Sequence, residues 1–295
     1  MLKAFPVLLV VCSAVESFAQ VGGGVATFGR ETASFSARTQ ELAKRKTHEL
    51  PNAKSVFVDA GVMINVKADS FVAVFGISVE GEDLEKARSR MAETLEAFRS
   101  NLRQAGVRPE DVKDDFVSQN RIYGFEVAGD LAKEVVVGFE FKKTVSVKFD
   151  AIGRLDALAE AASKAGVFDL VKVDYVVTDL EGVRARLMKE ASRIVKQKVS
   201  QLEGGLGLKF GKPKQVYAQE FGTYYPTAMY SSYVAQESQQ MFAYRQNYNL
   251  QMARKPRTAF FDALDASIFD VVLDPVVVEP VVQFTVYFKV RYEAS

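Results

Sequence analysis

The chain has 295 residues, 48% hydrophobic and 25% charged, which supplies enough apolar side chain for a sizeable core and makes disorder a poor default. Its 38 basic and 37 acidic residues leave a net charge of +1, so there is no electrostatic reason to expect nucleic acid or an anionic membrane as partner. With one histidine and one cysteine, no transition-metal spacing and no common triad or thiol chemistry is suggested.

In chain order, Lys3 precedes an apolar run over 4–15 and then Ser17-Phe18-Ala19, which predicts a signal peptide over 1–19 and an exported chain. The run is about a dozen residues against the roughly 20 of a spanning helix, so a transmembrane segment is not expected, and none is expected in the mature chain. Cys12 lies inside the leader, leaving a mature protein that must stand on its core without disulfides, as suits a bacterial periplasmic or outer-membrane-associated protein. Residues 20–54 read as a flexible N-terminal arm, where His48, between Thr47 and Glu49, reads as a solvated side chain.

From Ser55 the pattern becomes regular. Val56, Val58, Val62, Ile64 and Val66, then Phe71, Val72, Val74, Ile77 and Val79, predict two extended runs joined by a hairpin or a bulge near Ala68-Asp69-Ser70. Leu84, Ala87, Met91, Leu95, Phe98 and Leu102 form the stripe of a long amphipathic helix ending at Gly106. Extended runs over 112–125 and 134–149, a helix over 151–165 and a strand over 168–178 follow. The order strand, helix, strand, strand, helix, strand is that of a split β-α-β arrangement, an α+β fold with helices on one face of an antiparallel sheet.

The turn Glu80-Gly81-Glu82-Asp83-Leu84-Glu85 invites comparison with a phosphate-binding loop. It has one glycine and four carboxylates, which occupy the helix start and would repel an anion, so it reads as a fold junction. A third helix over 181–202 ends in Gly204-Gly205-Leu206-Gly207, a helix stop. Glu110-Asp111 and Asp114-Asp115 are sequence neighbours that point to opposite faces of a strand, so paired acid-base work is not expected of them.

Several short motifs in order resemble the SIMPL-domain family, which includes bacterial periplasmic and outer-membrane-associated immunogenic proteins. They are Gly61, Asp69-Ser70, Gly106-Val107 leading to Asp111-Val112, Phe116 with Ile122-Tyr123, Lys198, and Gly207-Leu208-Lys209-Phe210-Gly211. Asp59, Val199 and Phe210 depart from the family pattern. The resemblance covers roughly 55–216 and the last strand, implies a protein that binds or assembles, and carries no catalytic motif and no cofactor; a closing strand that returns to the sheet makes 55–295 a single domain.

Seven tyrosines fall between 217 and 248 within an insertion at about 217–262. Tyr224, Tyr225, Tyr230, Tyr233, Tyr244 and Tyr248 are the candidate surface for a homo-oligomer interface, another envelope protein or a glycan, because amphipathic rings bury large area at little rotamer cost. The alternative is an excursion packed on its own domain, partly helical over 234–253. The chain closes on a long strand, with Val282, Phe284, Val286, Phe288, Val290 and Tyr292 inward and Gln283, Thr285, Tyr287, Lys289 and Arg291 outward, half-buried by its alternation. The functional expectation is an exported, non-enzymatic envelope protein acting by self-assembly or partner binding, with a periplasmic ligand- or glycan-binding module as the alternative. A hydrolase would require a carboxylate pair facing a cleft.

Overall fold

The computed structural model describes residues 55–233 and 258–293. The leader, the arm, Tyr244, Tyr248 and the helix expected over 234–253 lie outside the described residues.

The split β-α-β unit is present. It runs β2 (Ser70–Gly81), α1 (Leu84–Gln104), β3 (Val112–Ala128), β4 (Leu131–Phe149), α2 (Leu155–Lys164) and β5 (Asp169–Val176). Its strands order β3-β4-β2-β5 with antiparallel neighbours, so each crossover helix returns to the same face. Asp83 starts α1 by accepting the Lys86 N–H at 2.7 Å. Gly81 is required just before it, because a Cβ there would sit 2.4 Å from the Ala87 nitrogen. The glycine and its carboxylates thus serve the close approach of strand and helix.

The remaining elements build a second sheet, ordered β6-β10-β1-β9, from β1 (Ser55–Val66), β6 (Gln215–Tyr224), β9 (Val271–Leu273) and β10 (Val282–Glu293). The expected hairpin or bulge between β1 and β2 is therefore replaced by a change of sheet. β1 pairs with β10 over its whole length, from Ser55 opposite Glu293 to Val66 opposite Val282, while β2 pairs with β4 and β5. α3 (Leu180–Leu206) packs on β1 and β10, burying Val183, Leu187, Ala191, Ile194 and Val195. It runs through Gly204 and Gly205 and stops at Gly207, whose φ of 67° is the left-handed conformation of a helix end. Both sheets and the three helices contribute to one connected apolar core.

β10 is a central strand and is buried on both faces, where alternation had indicated one. Gln283 is 1% exposed and accepts the Leu264 N–H at 2.7 Å while donating to Asn65 Oδ1 at 2.7 Å. Asn65 in turn donates to the Asp274 carbonyl. The segment after residue 258 folds over this end of the sheet, so the polar alternation that mimics solvent exposure is instead satisfied internally.

Candidate functional site

The tyrosine-rich stretch resolves into separate roles. Tyr217 stands edge-on to Phe57 at 5.1 Å, and the two rings cover the Lys289 ammonium at 5.3 and 4.9 Å from their centroids. Tyr224 packs on a satellite cluster of Met63, Met229 and Leu264. Tyr230, in the short β7 (Tyr230–Tyr233) paired with β8 (Thr258–Phe261), stacks edge-on to Phe261 and lies beside Tyr175 of β5. Tyr225 is exposed. Tyr233 pairs with Thr258 through its backbone. Tyr224 and Tyr230 thus pack on the chain's own domain, while Tyr225 stays exposed.

Burial and the Tyr230 hydroxyl push the Tyr175 phenol well above its ordinary value. Tyr287 is pushed up to about 12 by burial and by the carboxylates of Asp59 and Glu220. Both phenols stay protonated at neutral pH. Asp114 and Asp115 face opposite sides of β3, as their spacing requires. Burial opposes the charge on Asp114, but the Lys143 hydrogen bond at 3.1 Å and the Arg99 guanidinium outweigh it and hold the carboxyl below its usual range. Among the described residues no group of three or more His, Cys, Asp or Glu is placed to hold a metal ion. No described helix is long and apolar enough to cross a membrane.

Residues of the sequence motifs meet at the edge of β1. Lys198 of α3 donates to the Asp59 carbonyl at 2.9 Å and pairs with Asp270 at 2.7 Å. The other oxygen of Asp270 accepts the Gly61 N–H at 2.8 Å, and its own N–H donates to the Gly61 carbonyl. Side chains therefore continue the hydrogen-bond ladder that β9 makes with Val62–Ile64, and Lys198 and Gly61 are brought together as structural groups.

The surface that sequence reading missed is the β3–β4 hairpin. β2 covers β4 only from Phe139 to Phe149, so beyond Phe139 the hairpin projects as a two-stranded ribbon closed by Gly129 at φ 61°. Tyr123, Phe125 and Val127 alternate along one face opposite Val136, Glu134 and Ala132. Phe125 is 69% exposed and Val127 73%. That face is the extension of the helix-covered face of the sheet, through Phe139 and Phe141, past the point where α1 begins. Val137 lies on the opposite face, where its side chain sits over Gly124. The signal was present in the run of apolar residues over 122–127 and 131–137, but a ribbon and a buried strand have the same alternation.

The chain matches the SIMPL family, described as protein of unknown function (DUF541), over residues 56–262. It is 21% identical over 163 residues to uncharacterized protein YggE of Edwardsiella ictaluri (strain 93-146), covering 55% of this chain and 67% of that protein. Two solved structures, the crystal structures of AtUAH in complex with (S)-hydroxyglycine and with glyoxylate, are 13% and 12% identical over 48% and 46% of this chain. The matches span 35% of each of those chains, and both have a TM-score of 0.16, too slight a likeness to carry an argument. With its family match extending over most of its length, including the split β-α-β unit, all three helices and strands β1 and β6 of the second sheet, the chain belongs to the SIMPL family.

Proposed function

We propose that this is an exported, non-enzymatic protein of the cell envelope that acts by assembling, with itself or with a partner, in the periplasm or at the outer membrane. The observation that supports it is the projecting β3–β4 ribbon, which carries exposed Tyr123, Phe125, Val127 and Val136 where a protein acting alone would place polar side chains. Export rests on the leader pattern over 1–19. Fractionation of cells expressing the full chain, with N-terminal sequencing of the product, should find it outside the cytoplasm and starting at Gln20. Light scattering on residues 20–295 should give a mass above that of one chain. A cytoplasmic, uncleaved product would sink the export half, and a monomer that captures no envelope protein would sink the assembly half.

A further inference from the structure

We propose that the ribbon's apolar face is an isologous interface, stacked antiparallel on the same face of a second copy about a two-fold axis at the level of Tyr123 and Val136. This deepens the assembly reading and rests on it. The face is self-complementary in charge as well as apolar. Arg121 is opposite Phe139 and Glu134 opposite Phe125, which places both on the face that carries Tyr123 and Val136, one on each side of that level and two residues from it. Neither makes an ion pair within its own chain among the described residues. They cannot pair with each other there, because four residues of strand separate their levels, about 13 Å at the rise of a strand. A two-fold axis at Tyr123 brings Arg121 of each copy to the level of Glu134 of the other, giving two reciprocal ion pairs around an apolar centre.

The size is sufficient. Tyr123, Phe125, Val127 and Val136 present roughly 400 Å² of apolar side chain per copy, and the exposed Arg121 and Glu134 add on the order of 100 Å² more, estimated from full side-chain areas and their fractional exposure. Two stacked copies would bury on the order of 1,000 Å² in all, the size at which a specific interface becomes credible. A bilayer fits less well. The ribbon's Arg121 and Lys133 are outnumbered by Glu126, Asp130 and Glu134, so it lacks the cationic excess that draws an apolar edge to anionic headgroups.

The test uses the mature chain, residues 20–295, in sedimentation velocity across a concentration series, with circular dichroism to confirm that each variant folds. Arg121→Glu alone places two like-charge pairs across the axis, and so does Glu134→Arg alone. Each should weaken self-association at least tenfold. Mixed in equal amounts, the two variants restore both opposite-charge pairs in a heterodimer and should regain the unsubstituted protein's mass. If the unsubstituted chain self-associates and neither variant alters it, the ribbon face is not the interface, although the assembly reading survives. If the variants dissociate but fail to recombine on mixing, the reciprocal pairing is wrong. A chain that is monomeric throughout, with no partner captured, overturns both this interface and the assembly reading.

Discussion

At the scale of single residues, side chains named by sequence motifs do structural work through backbone groups. Asp69 joins the two sheets' connection to the start of α3, its carboxylate accepting the Thr178 N–H and hydroxyl at 2.7 Å each while its own N–H donates to the Val176 carbonyl. Those Thr178 bonds, the backbone one foremost, hold its carboxyl below the ordinary value of 3.8. A carboxyl depressed in the folded state contributes stability that is fully present above its unfolded value and is lost as pH falls through the folded one. Urea denaturation followed from about pH 5 to about pH 2 should therefore show a shallower acid decline for Asp69→Asn than for the unsubstituted chain. Equal slopes would mean that the clasp does not persist in solution. Lys198 and Asp270 likewise hold backbone groups at the β1 edge, where charged side chains take over from a strand that is three residues long.

At the scale of elements, the contrast is between apolar side chains that are covered and those that are not. α1 lies on β2 and β4 through a stripe of Ala87, Met91, Leu95, Phe98 and Leu102, and Phe98 meets Phe75 edge-on at 5.2 Å. Phe98→Ala removes a fully buried ring and should destabilise the fold by about 3–5 kcal/mol, seen as a lower urea midpoint with little change in slope. A loss under about 1 kcal/mol would mean that α1 packs more loosely than described. The ribbon carries comparable aromatic side chains that no described element covers, and these are the side chains the proposed interface would bury.

At the scale of the whole molecule, the two sheets share one core but are built with very different contact ranges. β2 through β5 is a contiguous run of sequence, whereas β1 must find β10 more than 200 residues away, with α3 packed across both. Hydrogen exchange should consequently be slowest in the paired centres of β1 and β10, which are buried on both sides, and fast over 123–136, where no described third strand pairs with the hairpin. Strong protection over 123–136 in a monomeric sample would show that the ribbon is covered by its own chain and would remove it as a free surface.

The sequence by itself determined the order of elements from β1 through α3 and the closing strand, the split β-α-β unit and the helix stripes. Each depends on periodicities of two or three to four residues, and the Asp83 cap, Gly106 and Gly207 mark ends through purely local backbone preferences. It also carried the motifs from Gly61 to Gly211 that place the chain in its family. What only the tertiary structure decided is which sheet each strand joins and which faces are covered. The alternation of β10 is the same whether Gln283 and Lys289 meet water or a folded-over segment, and that of 122–137 is the same in a core strand or a projecting ribbon. Exposure is a property of what packs against a face, and the covering elements lie tens to hundreds of residues away in the chain, beyond the reach of any local pattern.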